Sequence, residues 1–439
     1  MFKETSKELL DFLSKSPTAF HAVENYRQIL NADGFKELLE SEHWDIVPGG
    51  KYYVTRNNTS ILAFKVGTKL DNYSFNIVTS HTDSPTFKVK ENAEIEVKNK
   101  YTQLNTEGYG GMLCATWLDR PLSIAGRVLV SEGNSIVTKL LNIDRDLLMI
   151  PNVAIHMNRA ANDGFKYNLQ VDMLPLLSAG DDRQKDFKQI IADELGVKKE
   201  DILGHDLYLY NRMAPSIWGA NEEFISAGHL DDLQCGFASL KALLAGYNDE
   251  SIDIMACFDN EEVGSGTKQG ADSTLLRDTL IRINNALGKT EEDYHRALAS
   301  SFMLSSDNAH AVHPNHPEHT DATNCTYMNE GVVVKSHAGQ KYTSDGVSMA
   351  VVKALASGAD VPLQYFANRS DKAGGSTLGN IAMAQASMNA VDIGLPQLAM
   401  HSSYETAGIK DTYYAITLMK ALFDSHIQET STHSLEIKR

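Results

Sequence analysis

No stretch of the 439-residue chain reaches the roughly 18 consecutive apolar residues that a membrane-crossing helix needs, so no span is expected. The opening "MFKETSKELLDFLSKS" has the spacing of an amphipathic helix. It lacks the apolar centre and small-residue cleavage site of a secretion signal. Cysteine is scarce. Cys114, Cys235, Cys257 and Cys325 lie far apart and form no Cys-x-x-Cys, so they are expected to be reduced core residues of a cytoplasmic protein. Basic charge is also short, with 40 Lys and Arg against 57 Asp and Glu and a net charge of −17. Nucleic acid would be repelled, and no Lys/Arg-rich stripe offers a local exception. Cation binding fits this balance, as does plain solubility. Internal repeats and low-complexity segments are absent too.

Several catalytic signatures are missing. There is no Gly-x-Ser-x-Gly elbow of a serine hydrolase. The glycine-rich "GSGTKQG" matches neither Gly-x-Gly-x-x-Gly nor a phosphate-cradling loop, and no His-Glu-x-x-His is present. The remaining polar candidates are acids and histidines at the ends of apolar runs.

The composition, 42% hydrophobic and 22% charged, is that of a soluble globular protein, and the length suggests about two or three domains. "SKELLDFLSKS" and "TAFHAVENYRQIL" predict two helices, followed by strands in "KYYVTR", "SILAFKV" and "SFNIVTS". From residue 88 to about 226 the texture is mostly strand, as in "FKVKENAEIEVKN" and "SIAGRVLV", with one helix in "RQKDFKQIIADELG". Then strands and helices alternate again, ending on a helix in "TYYAITLMKALFDSHI". The expectation is an α/β fold: a mixed, mostly parallel sheet sandwiched by helices, formed by 1–87 plus 227–439. Residues 88–226 are expected to form an inserted β-rich domain. In such sheets ligands sit beyond the carboxyl ends of the strands.

His81 follows "FNIVTS", and Asp83, two residues on, can orient its imidazole as metal-binding histidines require. Asp231 and Asp232 precede a helix, where one can cap and the other coordinate. Glu261 and Glu262 follow the apolar "SIDIMACF". Adjacent carboxylates repel unless a cation lies between them or one holds a proton. A two-metal site resolves this, with one glutamate as ligand and the other as general base toward water. Asp307 ends "FMLSS", and His401 follows "LPQLAM". His81, Asp231, Glu262, Asp307 and His401, with Glu261 as base, suit two zinc ions, or cobalt or manganese. In "HAVHPNHPEH", Pro314 and Pro317 exclude a helix that would align His310, His313, His316 and His319 as ligands.

The motifs "SPTAFHAVEN", "SHTDSPTFKVK", "LDDL", "FDNEEVGSGTKQGADS", "SSDNAHAVHPNHPE", "KYTSDG" and "PQLAMHSSYETAG" run almost end to end. By them the chain resembles the M18 family of metallo-aminopeptidases, the aspartyl aminopeptidase group, and is most similar to bacterial members. The resemblance implies a zinc-peptidase fold interrupted by a β-rich interface domain. It also implies a tetrahedral homo-dodecamer with sites facing an internal chamber, two zinc-type ions, and peptide substrates with a free N-terminus. His81, Asp231, Glu262, Asp307 and His401 match its ligand positions, Glu261 the base and Asp83 the partner of the histidine. The family's Leu-Asp-Asn is Leu230-Asp231-Asp232 here, a departure that leaves open which carboxylate bridges. His156 resembles a histidine inserted into a neighbouring subunit's site, and His310 a substrate-contacting histidine. Lys335 resembles a lysine that meets acidic substrate side chains; from composition alone it reads as a solvated strand end. The preferred first residue stays open between acidic and neutral or apolar. Two other functions remain: a two-metal deacylase of small N-acyl compounds, and a non-catalytic peptide-binding shell.

Overall fold

The computed structural model describes residues 1–432 and 434–439. The two N-terminal helices form as expected, over Phe2–Ser14 and Ala19–Ala32. Apolar residues at helical spacing give each one buried stripe: Leu9, Leu10, Phe12 and Leu13 on the first, Val23, Tyr26 and Leu30 on the second.

At the centre is a nine-stranded mixed sheet. Its middle strands, Ser251–Phe258, Ser74–His81, Phe302–Ser306 and Asn389–Gly394, are neighbours in that order and all parallel. Ser74–His81 and Ser251–Phe258 are buried along their whole length, as strands covered on both faces must be. Side chains alternate between two cores. Phe75, Ile77, Ile252 and Ile254 pack on the layer of helices Leu275–Ala286 and Glu291–Ala299. Val78, Met255 and Leu304 pack on the opposite layer, which includes Leu230–Ala245 and Asp411–Phe423. Among the described residues no helix is long and apolar enough to cross a membrane.

A six-stranded sheet is built from strands between Thr86 and Asn211 and has its own core, including Phe87, Trp117, Ile124 and Leu207. The one helix expected there spans Phe187–Leu195. Asp186 caps it by accepting the Gln189 N–H, and Gly196 ends it at φ 63°. A third sheet joins distant segments: Phe224–Ala227 pairs with Glu405–Gly408, which pairs with Pro396–Leu398. His401 lies in the turn between those last two strands.

One expectation is corrected at the C-terminus. The last helix stops at Phe423, and His426–Ser431 pairs with Ser434–Lys438 as a hairpin. The alternation "HIQETS…SLEIK" accounts for this, because it sets Ile427 opposite Ile437 on one face.

Leu304 is fully buried at the middle of a central strand. Leu304→Ala should lower unfolding free energy by about 2–5 kcal/mol, read as a shift in the urea midpoint, because the rigid sheet cannot close around the lost volume.

Candidate metal centre

The parallel strands end together, and that shared edge gathers the polar residues. His81 is the last residue of its strand and in register with Phe258. Glu261 and Glu262 therefore emerge beside it, and Asp307 directly follows Phe302–Ser306. Asp231 and Asp232 open the helix from Leu230, joined by a cis peptide bond. His229, Asn260 and His401 hold left-handed backbones with φ of 62°, 63° and 66°. Such conformations cost non-glycine residues about 1–3 kcal/mol and collect at functional sites.

His81 is only 1% exposed. Its Nδ1 donates to the Asp83 carbonyl oxygen at 3.0 Å, because that oxygen can only accept, and this turns Nε2 toward the carboxylates. Nε2 is 3.4 Å from Asp231 Oδ1 and 3.9 Å from Asp307 Oδ1. His401 repeats the arrangement. Its Nδ1 donates to the Gly111 carbonyl at 2.7 Å, and its Nε2 lies 3.5 Å from Asp231 Oδ2 and 3.4 Å from Glu262 Oε1. The two oxygens of Asp231 thus face two different imidazoles.

These separations test whether cations fit. Zinc with nitrogen and oxygen ligands at about 2.0–2.1 Å in a tetrahedron holds those ligands about 3.3–3.4 Å apart. Asp231 Oδ1, Asp232 Oδ1 and Glu262 Oε1 are buried and receive no hydrogen bond, which is costly for carboxylate oxygens unless something positive reaches them. Divalent cations fit this donor set. The grouped ligand atoms fall into His81 with Asp232 and Asp307, His81 with Glu261 and Glu262, and Asp231 with Glu262 and His401.

Electrostatics point the same way. Burial, reinforced by Asp307, Asp83 and Asp231 against the relief from His81, pushes Glu261 up to about 8. Burial also raises Glu262, with Asp231 adding to it, and raises Asp232 and Asp307. For His401 burial opposes the charged form, but Asp231 and Glu262 outweigh it and lift the ring to about 10. Asp231 goes down despite burial because both imidazoles face it.

Some residues stand differently from expectation. The Asp83 carboxylate is 3.5 Å from His81 Nδ1, farther than its own carbonyl, so the backbone does the orienting. The carboxylate instead accepts the Glu261 N–H at 3.1 Å, the Glu262 N–H at 3.2 Å and the Tyr109 hydroxyl at 2.6 Å. Neither Asp231 nor Asp232 makes a capping hydrogen bond. Lys335 is not a solvated strand end. It is buried, donates to the Asn308 carbonyl at 2.8 Å and lies 3.9 Å from Asp307 Oδ2. His310 lines a cavity of about 250 Å³ together with Phe366, Arg369 and Met400. His156 is exposed on the irregular segment 151–172 and joins none of the ligand groups among the described residues. The prolines do exclude an α-helix after His310, yet residue spacing still stacks rings. His313, His316 and His319 succeed one another at 5.5 and 5.4 Å, and His316 and His319 group with Glu318 on the surface.

Sequence reasoning left open which of Asp231 and Asp232 would cap, and it missed Glu405. Glu405 is buried and accepts the N–H groups of Asp231 at 3.0 Å and His401 at 2.8 Å, tying one to the other. A lone glutamate inside "SSYETAG" carries no local signal of this.

A family model described as Aminopeptidase I zinc metalloprotease (M18) matches residues 12–423. The chain belongs to the M18 aminopeptidase family. It is a metallo-aminopeptidase, a hydrolase of peptide bonds, as its relatives' names state. The "Probable M18 family aminopeptidase 2" of Clostridium novyi (strain NT) is 48% identical over 425 residues, covering 95% of this chain and 98% of that one. A chain of the cryo-EM structure of the Ape4 and Nbr1 complex superposes with TM-score 0.93 at 35% identity, over 96% of this chain and 86% of that one. The S. cerevisiae mApe1 dodecamer gives TM-score 0.83 at 28% identity, over 96% and 97%.

Glu405→Ala would strand two buried N–H groups, each costing about 1–3 kcal/mol. We expect a lower thermal midpoint in calorimetry, with Glu405→Gln, which keeps one acceptor oxygen, falling between the alanine variant and the parent.

Proposed function

We propose that this M18 aminopeptidase works with two divalent ions, zinc in kind with cobalt or manganese as substitutes, held by His81, Asp231, Glu262, Asp307 and His401. The observation that carries this reading is Asp231, whose two oxygens lie 3.4 and 3.5 Å from the Nε2 atoms of two different imidazoles. It supports Asp231, rather than Asp232, as the carboxylate shared between the ions. When bound, the ions supply Lewis acidity, polarising the scissile carbonyl and making water acidic near neutral pH.

The chain's own residues do the rest. Glu261 is the general base: among the described residues no hydrogen bond reaches its carboxylate, and cations neutralising the acids around it would bring it down from about 8, so that its oxygens can take a proton from the attacking water. It passes that proton to the departing amine. Asp83 holds the peptide N–H groups of Glu261 and Glu262, which fixes where both side chains begin. His310 contacts the substrate in this reading, supported by its position on the cavity that Met400 also lines. Peptides with a free N-terminus are the substrate class. An acidic first residue is the proposed preference, and the support for it is Lys335, a buried cation next to Asp307.

The proposed division is a catalytic part, 1–87 plus 227–439, and a β-rich interface part, 88–226, supported by the separate core of the six-stranded sheet. A homo-oligomer, a tetrahedral dodecamer, is supported by likeness to a solved dodecamer, and His156 would then serve a neighbouring subunit. A cytoplasmic setting agrees with the four unbridged cysteines.

The test is hydrolysis of matched aminoacyl and N-acetyl-aminoacyl substrates by metal-loaded enzyme, with a chelated control. Cleavage confined to free amines and abolished by chelator is expected, fastest at Asp or Glu. Cleavage of the acetylated set would make the protein a deacylase, and no cleavage with any metal would leave a peptide-binding shell. Glu261→Gln should keep both ions by elemental analysis and lose turnover by at least about 100-fold. Near-normal turnover in that variant would overturn the assignment of the base.

A further inference from the structure

The strand Tyr101–Tyr109 belongs to the six-stranded sheet, yet its end runs into the carboxylate cluster of the other sheet. Three consecutive residues there make three different contacts. The Tyr109 hydroxyl donates to Asp83 Oδ2 at 2.6 Å and accepts from Asn260 Nδ2 at 2.8 Å. Gly110 holds φ +72°, and a Cβ placed on it would come within 3.1 Å of the Glu262 Cβ and 3.3 Å of the Pro85 Cβ. The Gly111 carbonyl accepts the Nδ1 proton of His401 at 2.7 Å, and two residues on the Leu113 N–H donates to the His401 carbonyl at 3.0 Å.

We propose that the segment Tyr109–Gly110–Gly111 is a positioning element of the catalytic centre, by which the β-rich layer aligns base and ligands from both sides. This rests on the reading of Glu261 as base and of Glu262 and His401 as ligands. Tyr109 acts through Asp83. With the hydroxyl in place, the Asp83 carboxylate is held toward the N–H groups of Glu261 and Glu262. Without it, the turn loses the Asn260 side-chain tie, and the Asp83 carboxylate is free to turn to His81 Nδ1, now 3.5 Å away, releasing the Glu261 and Glu262 N–H groups as well. Gly110 acts by absence of a side chain, leaving room for Glu262. Gly111 acts by its carbonyl, which fixes the tautomer and the plane of the His401 ring so that Nε2 faces Asp231 and Glu262. None of the three touches the reacting atoms.

The experiment uses the full-length enzyme. Tyr109→Phe, Asp83→Asn and their combination are loaded with zinc, and kcat and KM are measured separately on a free-amine substrate. Gly110→Ala is titrated with Co2+, following the visible spectrum and metal content. Partners behind metal ligands are worth about 10–100-fold in activity or metal affinity. Tyr109→Phe should therefore lose about 10–100-fold in kcat at unchanged KM and metal content. The double variant should lose no more than Asp83→Asn alone, because both act along one path. Gly110→Ala should bind one of two Co2+ ions about 10–100-fold more weakly.

A Tyr109→Phe enzyme with parental kcat, or a loss that multiplies in full with that of Asp83→Asn, would overturn the proposal. So would parental Co2+ affinity in Gly110→Ala, a readout that needs no activity. An inactive or chelator-insensitive parent would instead strike the metallo-aminopeptidase mechanism, and the Co2+ titration would still decide on Gly110.

Discussion

Carboxylates crowded out of water repel one another, and this repulsion is the condition under which the acidic edge of the central sheet exists. Asp83, Asp231, Asp232, Glu261, Glu262 and Asp307 gather at the ends of parallel strands, with two imidazoles and the Lys335 ammonium as the opposing groups. Backbone N–H groups quiet only some of these oxygens. The others remain buried and unmatched, and protons or divalent cations are what can reach them. A stable fold and a cation cradle are therefore the same arrangement viewed from two sides.

The sheet makes the crowding tolerable by supplying rigidity. His81, Asp307 and the glutamate turn leave neighbouring strands at one edge, so their relative positions inherit the register of a fully buried ladder. His401 comes from a tight turn between two short strands, and Glu405 ties its N–H to that of Asp231. Left-handed residues occur at His229, Asn260 and His401, close to the cluster, and hydrogen bonds hold the backbone of Asn260 and His401.

The strand ends are legible in the sequence because, in a sheet covered on both faces, an apolar run that stops at an acid or a histidine puts that polar group at the mouth of the core. His81, Glu261, Glu262, Asp307 and His401 are all visible in that way, and the motif resemblance agrees with them. What stays hidden depends on long-range placement. Nothing local distinguishes Tyr109, at the end of a strand in a different sheet, or Glu405 within "SSYETAG". Lys335 looks solvated in the sequence because a strand end is usually exposed, whereas here the fold buries it beside Asp307. The prolines after His310 argue against aligned histidines, but a three-residue repeat needs no α-helix to stack side chains, and a short 3-10 turn at Pro317–His319 suffices.

His81 lies in the first fifth of the chain and His401 in its last tenth, with the acids spread between them. At a synthesis rate of about 5–20 residues per second, tens of seconds separate the emergence of those two side chains from the ribosome. With the proposed ligand set, the growing polypeptide carries an incomplete cradle throughout that interval. On that ligand set, an enzyme made among other nascent chains with free N-termini would be completed only when the turn carrying His401 has been added.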